Sequence, residues 1–237
     1  MNKQRKGKLN NKGAAMMVCI ILIAILMVFT FSLMLVSYTY YVSQSKNVAS
    51  KRCSEAASSL SVAIDKEMQD QEVYLHSNLY LFARCNMWQS NWMPEKERVF
   101  ELEPSVENTK IEGIPSVVEV KMYWVPSDEF AGSIGMNTDY STFTGPDKEG
   151  TKLYMTVSAE AAGQEFTVTS VFELEVYELN INDPALSGTD DGDYIERMKS
   201  INDDGAGSTT FNNEGNDVIK QDSGICEKWT FKLVDKE

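Results

Sequence analysis

The chain has 237 residues, 43% hydrophobic and 24% charged, with 22 basic against 35 acidic side chains. That length allows an N-terminal segment of roughly 40 residues and one domain of roughly 195, enough to bury a core but not to make two domains the default. The first 13 residues carry Lys3, Arg5, Lys6, Lys8 and Lys12 and no acid, so the rest holds a net charge of −18, which repels phosphate backbones and disfavours nucleic-acid binding by that part.

Residues 1–13 form a basic tip. Ala14 to Val36 then runs 23 residues without a charge. At 1.5 Å per residue this helix crosses a hydrocarbon core of about 30 Å. Thr30 and Ser32 interrupt it only with hydroxyls that bond back to the helix, and Tyr38, Tyr40 and Tyr41 follow as amphipathic rings for the far interface. The run exceeds the apolar stretch of about 7–15 residues in a secretory signal, and no small-residue cleavage site follows it. The basic charge before the span places Met1 in the cytoplasm and the remainder outside, anchored by a single pass.

The junction reads Asn10-Asn11-Lys12-Gly13, then Ala14-Ala15 and the apolar run. This resembles a type IV prepilin leader, in particular the minor-pilin type of Gram-positive bacteria: a short basic peptide ending in Gly, set before the hydrophobic helix. The resemblance covers about 45 residues. It implies a prepilin peptidase cutting between Gly13 and Ala14, methylation of the new N-terminus, and retention of the helix for packing against other pilin-like subunits. Ala14, Ala15, Val18, Ala24, Ala57 and Leu60 then belong to the assembly helix, with small residues permitting close approach. Val18 occupies the fifth mature position, where most major pilins carry Glu. Its lack of a carboxylate fits a minor or tip subunit rather than a bulk one.

Residues 37–93 predict an exposed amphipathic helix that continues the span. Its apolar stripe is Cys53, Ala57, Leu60 and Ile64, then Leu75, Leu79 and Phe82, thinning around Met68 and Gln71, where a break fits. Such a helix needs a sheet to cover the stripe. Trp88 and Trp92 pack under that sheet; the sharper alternative makes them a ligand-binding aromatic box.

Residues 94–179 predict an antiparallel sheet domain. An irregular connector over 94–115 precedes an alternating strand, Ser116–Val125, closed by Pro126. A loop over 127–150 leads to a hairpin of Lys152–Glu160 and Glu165–Leu179. Residues 180–224 read as loosely packed acidic chain with a short helix near Tyr194–Ile201, and Cys226–Val234 returns as a fourth strand. The fold class is therefore α+β: a long N-terminal helix on a three- or four-stranded antiparallel sheet, which is also what the pilin resemblance implies.

Candidate chemistry is sparse. His76 is the only histidine, so any dyad needing two is impossible. No nucleophile-elbow, Walker or dinucleotide-binding pattern occurs. Asp190, Asp191 and Asp193, flexed by Gly192, can offer oxygens to calcium, and the resemblance makes this relevant because some pseudopilins hold calcium in their C-terminal loops. No other cofactor is expected. Cys85–Cys226 is the one intramolecular bridge entertained, and no CxxC marks a zinc site. The expected function is a structural, non-enzymatic subunit of a type IV pilus, DNA-uptake or type II secretion-like assembly. The alternative is a signal-anchored outer binding module using Trp88, Trp92 and Trp124.

Overall fold

A computed structural model describes residues 11–70, 75–88, 92–102, 117–127, 145–204, 219–220 and 224–237. The chain divides into two compact units, Met1–Val48 and Ala49–Glu237. Most of the connector after Leu102, most of the loop before Gly145, and the acidic stretch after Asp204 lie outside the described residues.

Helix α1 spans Asn11–Gln69. In the first unit its large apolar side chains from Met16 to Val36 are all more than half exposed, and the helix is long and apolar enough to cross a membrane. Three of its hydroxyls are satisfied within the helix, as a nonpolar surrounding requires. Thr30 Oγ1 donates to the carbonyls of Leu26 and Met27, Ser32 Oγ to Val28 and Thr39 Oγ1 to Val36, all within 2.8–3.0 Å.

In the second unit α1 turns a stripe of Ala49, Cys53, Ala57, Ser61, Ile64 and Met68 into the core. The spacing of four, with one step of three, follows the helical repeat. The expected thinning at Met68 is not found there: Met68 is fully buried. The break instead follows at once, because α1 ends at Gln69 with the Asp70 N–H on the Lys66 carbonyl. A single helix over 37–93 is thus corrected to two. Helix α2 (Asn78–Asn86) starts at Ser77, whose hydroxyl caps the Tyr80 N–H and donates to Glu67 Oε2 of α1 at 2.8 Å. It ends at Asn86 with Met87 as an extended C-cap, and Trp88 beyond the cap has φ +59°, a left-handed conformation that normally selects Gly. Packing holds the bulky residue there: its indole is buried, 5.0 Å from the Trp124 ring.

The sheet has six antiparallel strands, not three or four: β1 (Arg98–Leu102), β2 (Val117–Val125), β3 (Lys152–Ala161), β4 (Gln164–Asn180), β5 (Ile219–Lys220) and β6 (Ile225–Lys236), in the order β1-β2-β3-β4-β6-β5. The expected strands β2, β3, β4 and β6 form within two residues of their predicted ends. The additions are edges: β1 lies inside the presumed connector, and β5 is only two residues long. Val120, Met122 and Trp124 of β2 are fully buried, as their alternation predicts. The β3–β4 turn is Ala162-Gly163, both at positive φ as a two-residue hairpin turn requires. Helix α3 (Gly145–Lys148) precedes β3.

Between β4 and β5 the described residues 181–204 are packed rather than loose, and the short helix expected near Tyr194–Ile201 is present in a longer form; the rest of the segment lies largely outside the described residues. A 3-10 turn (Pro184–Leu186) leads into a 15-residue helix, α4 (Asp190–Asp204). It buries Tyr194, Ile195, Met198 and Ile201 along one face. Gly192 permits the approach of α4 to that turn, since a Cβ there would lie 2.2 Å from the Leu186 carbonyl oxygen.

Candidate functional site

The residues expected to form the assembly helix separate in the structure. Gly13, Ala14 and Ala15 lie on the helical backbone near the start of α1. Val18 and Ala24 are exposed on the apolar first unit. Ala57 is not available to a neighbouring subunit: it is fully buried in the chain's own core, and Leu60 is half covered beside it. The small residues Ala49, Cys53, Ala57 and Ser61 serve close approach between α1 and its own sheet, where a larger side chain has no room.

That contact is fastened by polar groups. The Cys53 thiol donates to the Gln164 carbonyl at 3.5 Å. Ser170 Oγ on β4 donates to Asp65 Oδ1 at 2.8 Å, which leaves the Ser61 hydroxyl, 3.2 Å away, as donor to Ser170. The Lys236 ammonium meets the other Asp65 oxygen at 2.5 Å. Glu237 exchanges both backbone hydrogen bonds with Thr169, so the C-terminal end is tied into the same seam.

A second cluster closes the free side of β6. β4 pairs with one side of β6 throughout, but among the described residues β5 pairs with the other side only at Ile225 and Cys226. Beyond it, side chains replace a strand. Tyr80 donates to the Trp229 carbonyl at 2.7 Å, and Arg84 Nη2 donates to the Glu227 carbonyl at 2.8 Å. The Tyr194 oxygen accepts from Arg84 Nε at 3.1 Å and from the Trp229 N–H at 3.3 Å. Its own proton reaches the Glu227 carbonyl at 3.2 Å. An exposed strand edge would leave these groups to water or to another chain; here α2 and α4 satisfy them.

The charges in this cluster are matched by contact. Arg84 is 5% exposed, with its guanidinium 4.3 Å from the Trp229 ring centroid. Glu227 Oε2 accepts from the Lys148 ammonium at 2.8 Å and from the Trp229 indole at 3.3 Å. Burial alone raises the Glu227 carboxyl, but the Lys148 ammonium, hydrogen-bonded to it, and Arg84 hold it below the ordinary carboxylate value. Burial pushes the Cys226 thiol up to about 11 and raises Cys85 and the Tyr194 hydroxyl as well. All three are thus neutral near pH 7, which suits packing rather than nucleophilic attack.

The other candidates resolve as follows. Asp190, Asp191 and Asp193 do not fit a calcium shell: they occupy the first turn of α4 rather than a loop, and Asp191 is engaged by the Lys228 ammonium at 2.6 Å. Among the described residues, no group of three or more His, Cys, Asp or Glu is placed to hold a metal ion. Cys85 and Cys226 are buried and not joined by a disulfide, so the entertained bridge is not formed. His76 is exposed, in a turn before α2 rather than within a helix. Trp88, Trp92 and Trp124 are core residues, not an open box: Trp124 Nε1 donates to the Trp92 carbonyl at 2.9 Å and Trp92 Nε1 to the Lys96 carbonyl at 2.7 Å.

Sequence reasoning missed the Tyr80–Arg84–Tyr194–Glu227 cluster. One signal was present: on β6 the acid Glu227 falls in phase with Trp229 and Phe231, so a charge sits on a face that must be buried. No family model matches the chain, and neither comparison with curated proteins nor comparison with solved structures gave a match.

Proposed function

We propose that this chain is a single-pass membrane protein, with Met1 in the cytoplasm and the Ala49–Glu237 unit outside, working as a type IV pilin-like structural subunit of an envelope assembly. Its kind is a minor pilin or pseudopilin. One observation carries the reading. A basic tip ending in Gly13 stands before, not after, an uncharged helix able to cross a membrane, and the same helix α1 supplies the buried stripe of an antiparallel-sheet unit. The partners are membrane lipid, a prepilin peptidase and other pilin-like subunits. Because α1 spends Ala57 on its own core, bundling with neighbours uses the exposed apolar residues from Met16 to Val36. The absence of a carboxylate at Val18 favours a minor position over a bulk one.

N-terminal sequencing of the membrane-bound protein tests this directly. The expected first residue is Ala14, with its amine methylated. A start at Met1 or Asn2 in cells with an active prepilin peptidase refutes the processing and leaves a plain signal anchor.

A further inference from the structure

Helix α1 carries no charged residue between Lys12 and Lys46. Residues 14–45 therefore amount to about 48 Å of uncharged helix, against about 30 Å of hydrocarbon and about 40–45 Å of whole bilayer. The excess lies at one end. Below Ala14 the next residue but one is Lys12, followed downward by Lys8 and Lys6. Above Val36 come residues 37–45, about 13 Å of neutral helix that is polar or aromatic except at Val42.

These upper turns are compatible with partial immersion. Tyr38, Tyr40 and Tyr41 are exposed on the helix, with rings suited to the zone between hydrocarbon and water. The Thr39 hydroxyl is already bonded to the Val36 carbonyl at 2.9 Å, as those of Thr30 and Ser32 are to carbonyls within the span. Immersing that hydroxyl strands no donor. Drawing Lys12 into hydrocarbon instead disfavours the position by on the order of a hundredfold at the helix centre.

We propose that the span has a fixed lower boundary at Lys12 and a movable upper one, so that a thicker bilayer is matched by immersing Ser37 to Tyr41. The membrane depth of this protein is then set on one side only, by charge. The inference rests on reading Ala14–Val36 as a span.

The experiment uses the full chain with Cys19→Ala, carrying Ser37→Cys or Ser43→Cys as reporter; Cys53, Cys85 and Cys226 are buried. It is reconstituted in vesicles of dimyristoyl, dioleoyl or dierucoyl phosphatidylcholine and labelled with a membrane-impermeant maleimide. Labelling at Ser37→Cys should fall about tenfold or more from the thinnest to the thickest bilayer, while Ser43→Cys changes little. Adding Thr39→Lys should restore labelling of Ser37→Cys in the thick bilayer. A Ser37→Cys rate independent of thickness, or unaffected by Thr39→Lys, overturns the proposal. Release of the protein by alkaline carbonate is a different failure, that of the span itself.

Discussion

Removing one oxygen, with Tyr194→Phe, tests whether side chains stand in for a strand along β6. The ring is fully buried, and Phe keeps its shape, so packing changes little. What is lost is an acceptor for two donors, Arg84 Nε–H at 3.1 Å and the Trp229 N–H at 3.3 Å, and a donor to the Glu227 carbonyl. A buried group deprived of its partner costs about 1–3 kcal/mol, more when charged. Geometry here is mid-range and the Arg84 guanidinium keeps its contact with the Glu227 carbonyl, so the expected loss is about 2–3 kcal/mol. For a unit of this size that lowers the melting temperature by roughly 5–10 °C. Tyr80→Phe is the internal standard. Its hydroxyl has one proton, given to the Trp229 carbonyl at 2.7 Å, and removing it should cost only about 1 kcal/mol. Urea unfolding of the full chain in detergent, followed by tryptophan fluorescence, reads both, since all four tryptophans are buried. If Tyr194→Phe costs less than Tyr80→Phe, the claim that α4 closes the β6 edge through this oxygen is wrong.

Other consequences are open to measurement. Ala57→Leu should destabilise by about 1–3 kcal/mol through overpacking between α1 and the sheet, whereas Ala63→Leu on the exposed face should stay within about 0.5 kcal/mol; equal effects in urea melts would contradict the buried stripe. Gly192→Ala places a carbon against the Leu186 carbonyl oxygen and should raise amide hydrogen exchange over α4, leaving β3 and β4 protected. Because the Glu227 carboxyl is held below its unfolded value, its contribution is fully present above the unfolded value, about pH 4.3, and is lost as pH falls through the folded one. Lys148→Met removes the ammonium that lowers it most, while burial and the lowering contacts of Arg84 and Trp229 remain, so the carboxyl of that variant moves up and its loss of stability on acidification should begin at higher pH than in the parent chain. Urea midpoints at several pH values read the shift, and identical pH dependence in the two proteins would refute the assignment.

What the amino-acid sequence determined by itself is what depends on neighbours along the chain. The uncharged run marks a helix long and apolar enough to cross a membrane, because transfer into hydrocarbon is a property of consecutive residues. Alternation in Val117–Val125, Lys152–Ala161, Gln164–Asn180 and Ile225–Lys236 marked the inner strands, because a strand with one face in a core writes a period of two into its own residues. The small-residue spacing on α1 is legible too, but not its use: the pilin resemblance gives Ala57 to contacts with other subunits, and only packing shows that it faces the chain's own sheet. Tertiary structure also decided the edges. β1 and β5 are short, and an edge strand owes its existence to a partner far away in sequence. The closure of β6 joins Tyr80, Arg84, Tyr194 and Glu227 across well over a hundred residues, so no local period could announce it. The end of α1 at Gln69 has the same origin, since Ser77 caps a new helix that lays Tyr80 and Arg84 against that strand.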